Sequence, residues 1–92
     1  MEFLIESHRI FHKDNKGNTL AEITFPMEEN HEEIVNINHT FVDPSLRGRG
    51  IAGEMMEKLL TYLRQENLKV VPTCSYAVQW FEKHPEDRDL LV

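Results

Sequence analysis

The chain has 92 residues, a formal net charge of -6 and one cysteine. This length predicts a single domain, residues 1–92, with a modest hydrophobic core. The acidic balance argues against nucleic-acid binding, which needs clustered Lys and Arg side chains, and one cysteine permits no disulfide within the chain. No apolar run approaches the roughly 18 residues that span a membrane, and the first residues lack a signal-like segment. We therefore expect a cytoplasmic domain that contacts neither membranes nor nucleic acids.

Two strands are predicted at the N-terminus. The first combines the apolar segments 3–5 and 10–11, and the turn residues at 14–17 end it. Residues 19–25 alternate and form its hairpin partner, which Pro26 terminates. The polar residues that follow are predicted to be a turn.

The run Ile34–Val42 is the third predicted strand and the most strand-like segment of the chain. Strict alternation places four side chains on one face, namely Val35, Ile37, His39 and Phe41. The sequence therefore predicts an antiparallel meander of three strands before any helix.

A helical period begins at Ile51 and ends near Asn67. Its apolar stripe contains Ile51, Met55, Met56, Leu59, Leu60, Tyr62 and Leu63. Lys69–Pro72 reads as a fourth strand, parallel to the third because the helix would be a crossover. Tyr76–Lys83 reads as a short C-terminal helix. The predicted class is α+β, with a four-stranded mixed sheet.

The segment Thr40–Ala52 joins the third strand to the first helix through a loop that contains Gly48 and Gly50. Glycines allow a ligand to approach the backbone closely, and the first amides of a helix lack internal partners. Arg47 and Arg49 make this loop basic within an acidic chain. These features predict a binding site for an anion such as a pyrophosphate.

The loop sequence 47–52, Arg-Gly-Arg-Gly-Ile-Ala, resembles the pyrophosphate loop of the GNAT acetyltransferases. The pairs and segments around it resemble the short stand-alone members of that family: His-Thr at 39–40, Val-Pro-Thr-Cys at 71–74 and Lys-His-Pro-Glu at 83–86. The resemblance extends from about Ile34 to the C-terminus, and four matching segments in one order make it specific.

This resemblance implies an acyl-coenzyme A N-acyltransferase fold and the transfer of acetyl from acetyl-coenzyme A to an amine. In the family, the strand before the loop diverges from the strand after the helix, and pantetheine lies in the gap. Backbone groups of Phe41 and Val42 would then hold the pantetheine arm and the thioester oxygen. The pyrophosphate would lie on the amides of Arg47, Gly48, Arg49, Gly50, Ile51 and Ala52.

The resemblance also implies where the chain departs from the family. Typical members have N-terminal helices that wall the acceptor site, and we expect this site to be open here or completed by a second copy. The chain would then be a monomer or a weak homodimer. Many members place an Asn, an Ala and a Tyr general acid where this chain has Cys74, Ala77 and Phe81. Phe81 has no proton to donate.

Cys74 is the first catalytic candidate, because the same register places it beside the thioester. It would accept the acetyl group transiently or handle the proton of the departing thiolate, and it precedes a helix, where thiols are activated. A buried, inert cysteine is the alternative. His39 is the second candidate, as the base that deprotonates an incoming ammonium, with a structural strand histidine as its alternative.

Two classes of function stay open at this point. The first is a small N-acetyltransferase that acts on an unidentified amine. The second is a non-catalytic module that binds coenzyme A or a protein partner. A nucleotide-binding domain of another kind ranks last, because the loop lacks the Lys-Ser/Thr ending of a P-loop. No metal site is expected, since His8, His12, His31 and His84 show no close ligand spacing.

Overall fold

The computed structural model describes residues 1–92, which form seven strands and two α-helices. In chain order these are β1 (Leu4–Glu6), β2 (Arg9–Lys13), β3 (Thr19–Thr24), β4 (Met27–Glu28), β5 (His31–Ile37), β6 (His39–Val42), α1 (Ile51–Gln65), β7 (Lys69–Pro72) and α2 (Ser75–Lys83). Short 3-10 helices cover Pro44–Leu46 and Pro85–Leu90. One sheet has the order β1-β2-β3-β6 and the other β4-β5-β7. The predicted α+β class is confirmed, with more strands than the sequence indicated.

The first predicted strand is two strands. β1 and β2 pair in antiparallel fashion, with Leu4 opposite Phe11. The turn between them contains Ser7 and His8, which both have positive φ angles, 51° and 60°. Two successive residues in this region form the tight turn that suits the twist of a hairpin. The predicted turn after Pro26 likewise contains the two-residue strand β4.

The third predicted strand is divided at Asn38 into β5 and β6. β5 pairs in parallel with β7, with Val35 opposite Val70, which confirms the predicted parallel pairing. β6 pairs in antiparallel fashion with β3, with Ile23 opposite Thr40. The Asn38 amide donates to the Thr24 carbonyl at 3.2 Å and so holds the chain at the point where it passes from one sheet to the other.

The buried face of this run changes at Asn38. β5 buries the odd-numbered residues Val35 and Ile37. In β6 the even-numbered Thr40 and Val42 lie opposite the fully buried Ile23 and Ala21, and therefore share their face. The prediction of one common face is therefore wrong for the set Val35, Ile37, His39 and Phe41. Asn38 belongs to neither strand, and it shifts the alternation of side chains by one residue between β5 and β6.

Helix α1 packs on the sheets and supplies much of the core, which is one cluster of 18 buried residues. Its buried side chains are Ile51, Met55, Met56, Leu59, Leu60 and Leu63. Full burial of such a side chain stabilises a fold by about 1.5–3 kcal/mol. Asn67, with a φ of 57°, ends the helix as predicted. Neither helix has the length and apolar character that crossing a bilayer requires.

Candidate functional site

β6 and β7 diverge after Ile37. The carbonyl of Ile37 accepts hydrogen bonds from the amides of Thr73, at 3.0 Å, and Cys74, at 3.2 Å. Beyond this point β6 pairs with β3, while the chain after β7 enters α2. We call the gap between β6 and the segment 72–74 the fork. It corresponds to the divergence that the resemblance implied between the strands on either side of α1.

One edge of the fork is the unpaired side of β6. The Asp43 amide donates to the Leu20 carbonyl at 2.7 Å, so these two residues form a hydrogen-bonded pair. Backbone groups alternate in an antiparallel ladder, which directs those of Phe41 to β3 and those of Val42 to the fork. The Nε of Arg47 donates to the Val42 carbonyl at 3.1 Å. Phe41 and Val42 were both predicted to hold a pantetheine arm. Only Val42 directs its backbone groups into the fork, whereas those of Phe41 are directed to β3.

Asp43 shapes the entrance to the glycine loop. Its carboxylate accepts from the Ser45 amide at 3.0 Å and from the Ser45 hydroxyl at 2.5 Å, and so caps the 3-10 helix Pro44–Leu46. The bond from the Ser45 hydroxyl is the main cause that lowers the pKa of Asp43, followed by the amide. The carboxylate is therefore kept ionised to lower pH than usual.

Gly48 and Gly50 both adopt left-handed backbone conformations, with φ angles of 84° and 71°. A Cβ atom at either position would meet no heavy atom within 4 Å. The conformation, and not crowding by protein, therefore requires glycine here. The space above both residues is open to a ligand.

Gly50 is also the N-cap of α1 and provides no side-chain cap. The amides of residues 48–53 have no acceptor within the protein. Successive free amides at the N-terminus of a helix attract anions, since the helix dipole adds positive potential there. The side chains of Arg47 and Arg49 are exposed beside them. The predicted anion loop thus has the expected local geometry.

A cleft of about 440 Å³ opens between this loop and the fork. Its walls are Val42, Leu46, Arg47, Gly48, Gly50, Ile51, Ala52, Gly53 and Tyr76. Most of the residues predicted to bind a coenzyme lie here, whereas Phe41 and Arg49 do not line it. Tyr76 was not predicted. Its position two residues after Cys74, at the start of α2, was the available signal.

Cys74 lies at the inner end of the fork. Its sulfur is 3.5 Å from the Thr40 hydroxyl and accepts from the Ala77 amide at 3.4 Å, so that it caps α2. The side chain is half-buried. His39 is exposed and lies on the opposite face of β6 from Thr40. The structure therefore does not bring the two catalytic candidates together.

Tyr76 forms part of the cleft wall, and Phe81 does not. Burial raises the pKa of the Tyr76 phenol, and negative charge on Cys74 and Glu57 adds to this effect. Phe81 is only 3% exposed and belongs to the core. The Phe81 position therefore offers no general acid, while the phenol of Tyr76 stands in the wall of the cleft.

A family model described as GCN5-related N-acetyl-transferase matches residues 9–90. Among curated proteins, Protein NATD1 of Gallus gallus and that of Homo sapiens are each 35% identical to this chain over 54 residues. The match covers 59% of this chain and 49% and 48% of those proteins. The chain thus spans about half the length of the curated relatives it matches.

Solved structures show the same fold. The solution structure of a GCN5-like protein from Staphylococcus aureus has a TM-score of 0.79 and 30% identity, and the match covers 99% of this chain and 87% of that one. YhbS from Escherichia coli, solved in complex with CoA, has a TM-score of 0.62 and 20% identity over 78% of this chain and 42% of its own. Tetrahymena GCN5 has a TM-score of 0.63 and 17% identity over 85% and 51%.

Proposed function

Because the chain belongs to the GCN5-related N-acetyltransferase family, we propose that it binds acetyl-coenzyme A and transfers the acetyl group to an amine. The family and the fold support acyl transfer in general. One observation carries the finer proposal. The free amides at the start of α1 border a cleft whose walls include Val42 of β6 and Tyr76, which is two residues after the half-buried Cys74.

In this proposal the diphosphate of the coenzyme lies on the amides of residues 48–52, where the helix dipole and the two arginines favour negative charge. The pantetheine arm follows the cleft and pairs with the backbone of Val42, whose amide is directed away from β3. The Arg47 side chain, which already contacts the Val42 carbonyl at 3.1 Å, would border this arm. The thioester then reaches the inner end of the fork.

The reaction needs a neutral amine and two proton transfers, one from the amine nitrogen and one to the departing thiolate. The amine nitrogen attacks the thioester carbonyl carbon, and the bond from that carbon to the coenzyme sulfur breaks. The nitrogen loses a proton, and the departing thiolate gains one. Backbone donors at the fork would stabilise the negative oxygen of the tetrahedral intermediate.

Cys74 offers a two-step alternative for the same transfer. Its sulfur attacks the thioester carbon, the carbon–sulfur bond of the coenzyme breaks, and the Cys74 proton passes to the coenzyme thiolate. The amine then attacks the acetyl-cysteine, and its proton returns to the Cys74 sulfur. The 3.5 Å contact with the Thr40 hydroxyl and the position of Cys74 at the start of α2 support this role.

Calorimetric titration with acetyl-coenzyme A tests the binding step, with ATP and NAD as competing nucleotides. We expect saturable binding that is selective for the coenzyme, and weaker binding by the Arg47→Ala/Arg49→Ala variant. Intact mass spectrometry after incubation with acetyl-coenzyme A then tests Cys74. We expect one acetyl adduct on the wild type and none on Cys74→Ser. Full turnover by Cys74→Ser without any adduct on the wild type would exclude the covalent route.

His39 remains a proposed base with a narrower role. Its side chain is exposed on the face of β6 opposite Thr40, so it would serve an amine that reaches the fork from that outer face. Turnover of His39→Ala across pH 5–9 measures this. An acidic limb that moves or disappears supports the role, and an unchanged profile assigns the deprotonation to another group or to water.

A non-catalytic module that binds coenzyme A is the second candidate, and the burial of Phe81 in the core favours it, because no phenol takes the place of the usual acid. Turnover with a panel of amines separates the two functions. Tight binding without turnover and without acetylation of Cys74 would favour the module.

A further inference from the structure

We propose that Tyr76 binds the acyl donor directly, by donating a hydrogen bond from its phenol to the diphosphate end of coenzyme A. The inference rests on the proposed function and adds a residue that neither the loop motif nor the family pattern at 74, 77 and 81 includes. It assigns a specific role to the cleft wall that faces the loop.

The position of the Tyr76 hydroxyl carries the argument. A Cβ atom added to Gly53 would lie 3.8 Å from this hydroxyl, so the phenol reaches across from α2 to the first turn of α1. The free amides of residues 48–53 are found at that same turn. An anion bound to these amides would therefore lie beside the phenol.

The hydroxyl has no hydrogen-bond partner in the protein. The side-chain hydrogen bonds of the chain include Thr40, Cys74 and Trp80 but none to the Tyr76 oxygen. Its ring is half-buried and packs beside Trp80, with ring centroids 6.3 Å apart. This oxygen is not buried, since no buried side-chain oxygen of the chain lacks a partner, and it is therefore open to a ligand in the cleft.

The chemistry of the cleft is consistent with a donor at this position. The walls next to Tyr76 are largely apolar, from Val42, Leu46, Ile51 and Ala52. A tyrosine phenol is protonated at neutral pH, and burial raises the pKa of Tyr76 further. The hydroxyl can therefore donate a hydrogen bond to a neighbouring anion. It would complement the charged Arg47 with a neutral donor, and it would orient the diphosphate as the pantetheine arm turns towards Cys74.

Tyr76→Phe removes one oxygen and keeps the ring, and Tyr62→Phe is its matched control. Tyr62 lies on α1 against Phe25, with ring centroids 6.1 Å apart, and does not line the cleft. Calorimetry with acetyl-coenzyme A and with coenzyme A should show at least about tenfold weaker binding of both ligands by Tyr76→Phe, because a hydrogen bond to a charged group contributes about 1.5–3 kcal/mol. Tyr62→Phe should bind as the wild type does.

The outcomes separate this inference from the proposed function. If the wild type binds neither ligand, the proposed function fails. If the wild type binds and Tyr76→Phe binds equally well, only the role of Tyr76 fails. A loss for acetyl-coenzyme A without a loss for coenzyme A would place the contact at the thioester and overturn the diphosphate assignment.

Carbon-13 labelling of the tyrosine ring provides a test on the unaltered chain. With two tyrosines, the two phenolic carbon signals are assigned by comparison with Tyr62→Phe. Saturation with coenzyme A should shift the Tyr76 signal and leave the Tyr62 signal in place. A Tyr76 signal that does not move at saturation would overturn the inference even if Tyr76→Phe failed to fold.

Discussion

The hydroxyl of Thr40 lies 3.5 Å from the sulfur of Cys74 and bridges the inner end of the fork. Thr40 belongs to β6, and Cys74 is the N-cap of α2. The contact depends on the break at Asn38, since an unbroken alternation would have turned Thr40 away from the core. It fixes the thiol where the two strands diverge and where the proposed thioester would arrive.

Thr40→Val should slow the acetylation of Cys74 by about fivefold. Valine keeps the shape of threonine but removes the hydroxyl that can donate to the sulfur as it loses its proton, and a hydrogen bond of this kind contributes about 1 kcal/mol. The rate is measured by intact mass spectrometry at saturating acetyl-coenzyme A. Thr61→Val, on the exposed face of α1, is the control and should react normally. Equal rates for both variants would remove Thr40 from the mechanism.

The two obvious substitutions of Cys74 should have opposite effects on stability. The sulfur accepts from the Ala77 amide at 3.4 Å, and serine is a preferred residue at this capping position. We expect Cys74→Ser to be at least as stable as the wild type and Cys74→Ala to lose about 1 kcal/mol. Urea denaturation provides the comparison. A stable but inactive Cys74→Ser would then report on chemistry and not on folding.

Arg47 and Arg49 should contribute unequally to binding. Arg47 lines the cleft and is held by the Val42 carbonyl, whereas Arg49 lies outside the cleft wall. We expect Arg47→Ala to weaken the binding of coenzyme A about tenfold and Arg49→Ala about threefold, and higher salt to reduce the Arg49 effect more. Calorimetry at two salt concentrations measures this, with Lys58→Ala as the control. A larger loss for Arg49→Ala would contradict the assignment.

Substitution by alanine should distinguish two glycines of the loop and helix. Gly50 has a φ of 71°, so Gly50→Ala should destabilise the chain by about 1–2 kcal/mol. Gly53 lies within α1, and a methyl there would make ordinary contacts at 3.7 Å with Trp80 and 3.8 Å with Tyr76. Gly53→Ala should therefore stabilise by about 0.5–1 kcal/mol. Thermal unfolding of the two variants side by side provides the test.

Asp43 should make the stability of the chain depend on acidic pH. Its pKa is lowered from 3.8, chiefly by the Ser45 hydroxyl. A carboxyl with a lowered folded-state pKa contributes stability that is fully present above the unfolded value and is lost as the pH falls through the folded value. The difference in the free energy of unfolding between the wild type and Asp43→Asn should therefore be constant from pH 7 to 5. It should decrease below about pH 3.8. Urea denaturation at each pH would reveal a constant gap if the prediction is wrong.

The sequence by itself determined the elements whose signals are local. The stripe from Ile51 to Leu63 predicted α1 and its buried face, because a helix repeats its contacts every few residues. Gly48 and Gly50 predicted the loop, because a left-handed backbone favours glycine wherever it occurs. The parallel orientation of β7 relative to β5 followed from a single crossover helix between the two strands, whereas the register of the pair did not.

Only the tertiary structure decided what depends on distant partners. Whether Ile34–Val42 is one strand or two is set by competition between β3 and β7 for its backbone, and this pairing reverses the face on which Thr40 and His39 lie. The contact of Thr40 with Cys74 and the reach of Tyr76 to Gly53 join residues from separate elements. No local pattern encodes such contacts, because they depend on how the helices pack against two sheets whose strands come from distant parts of the chain.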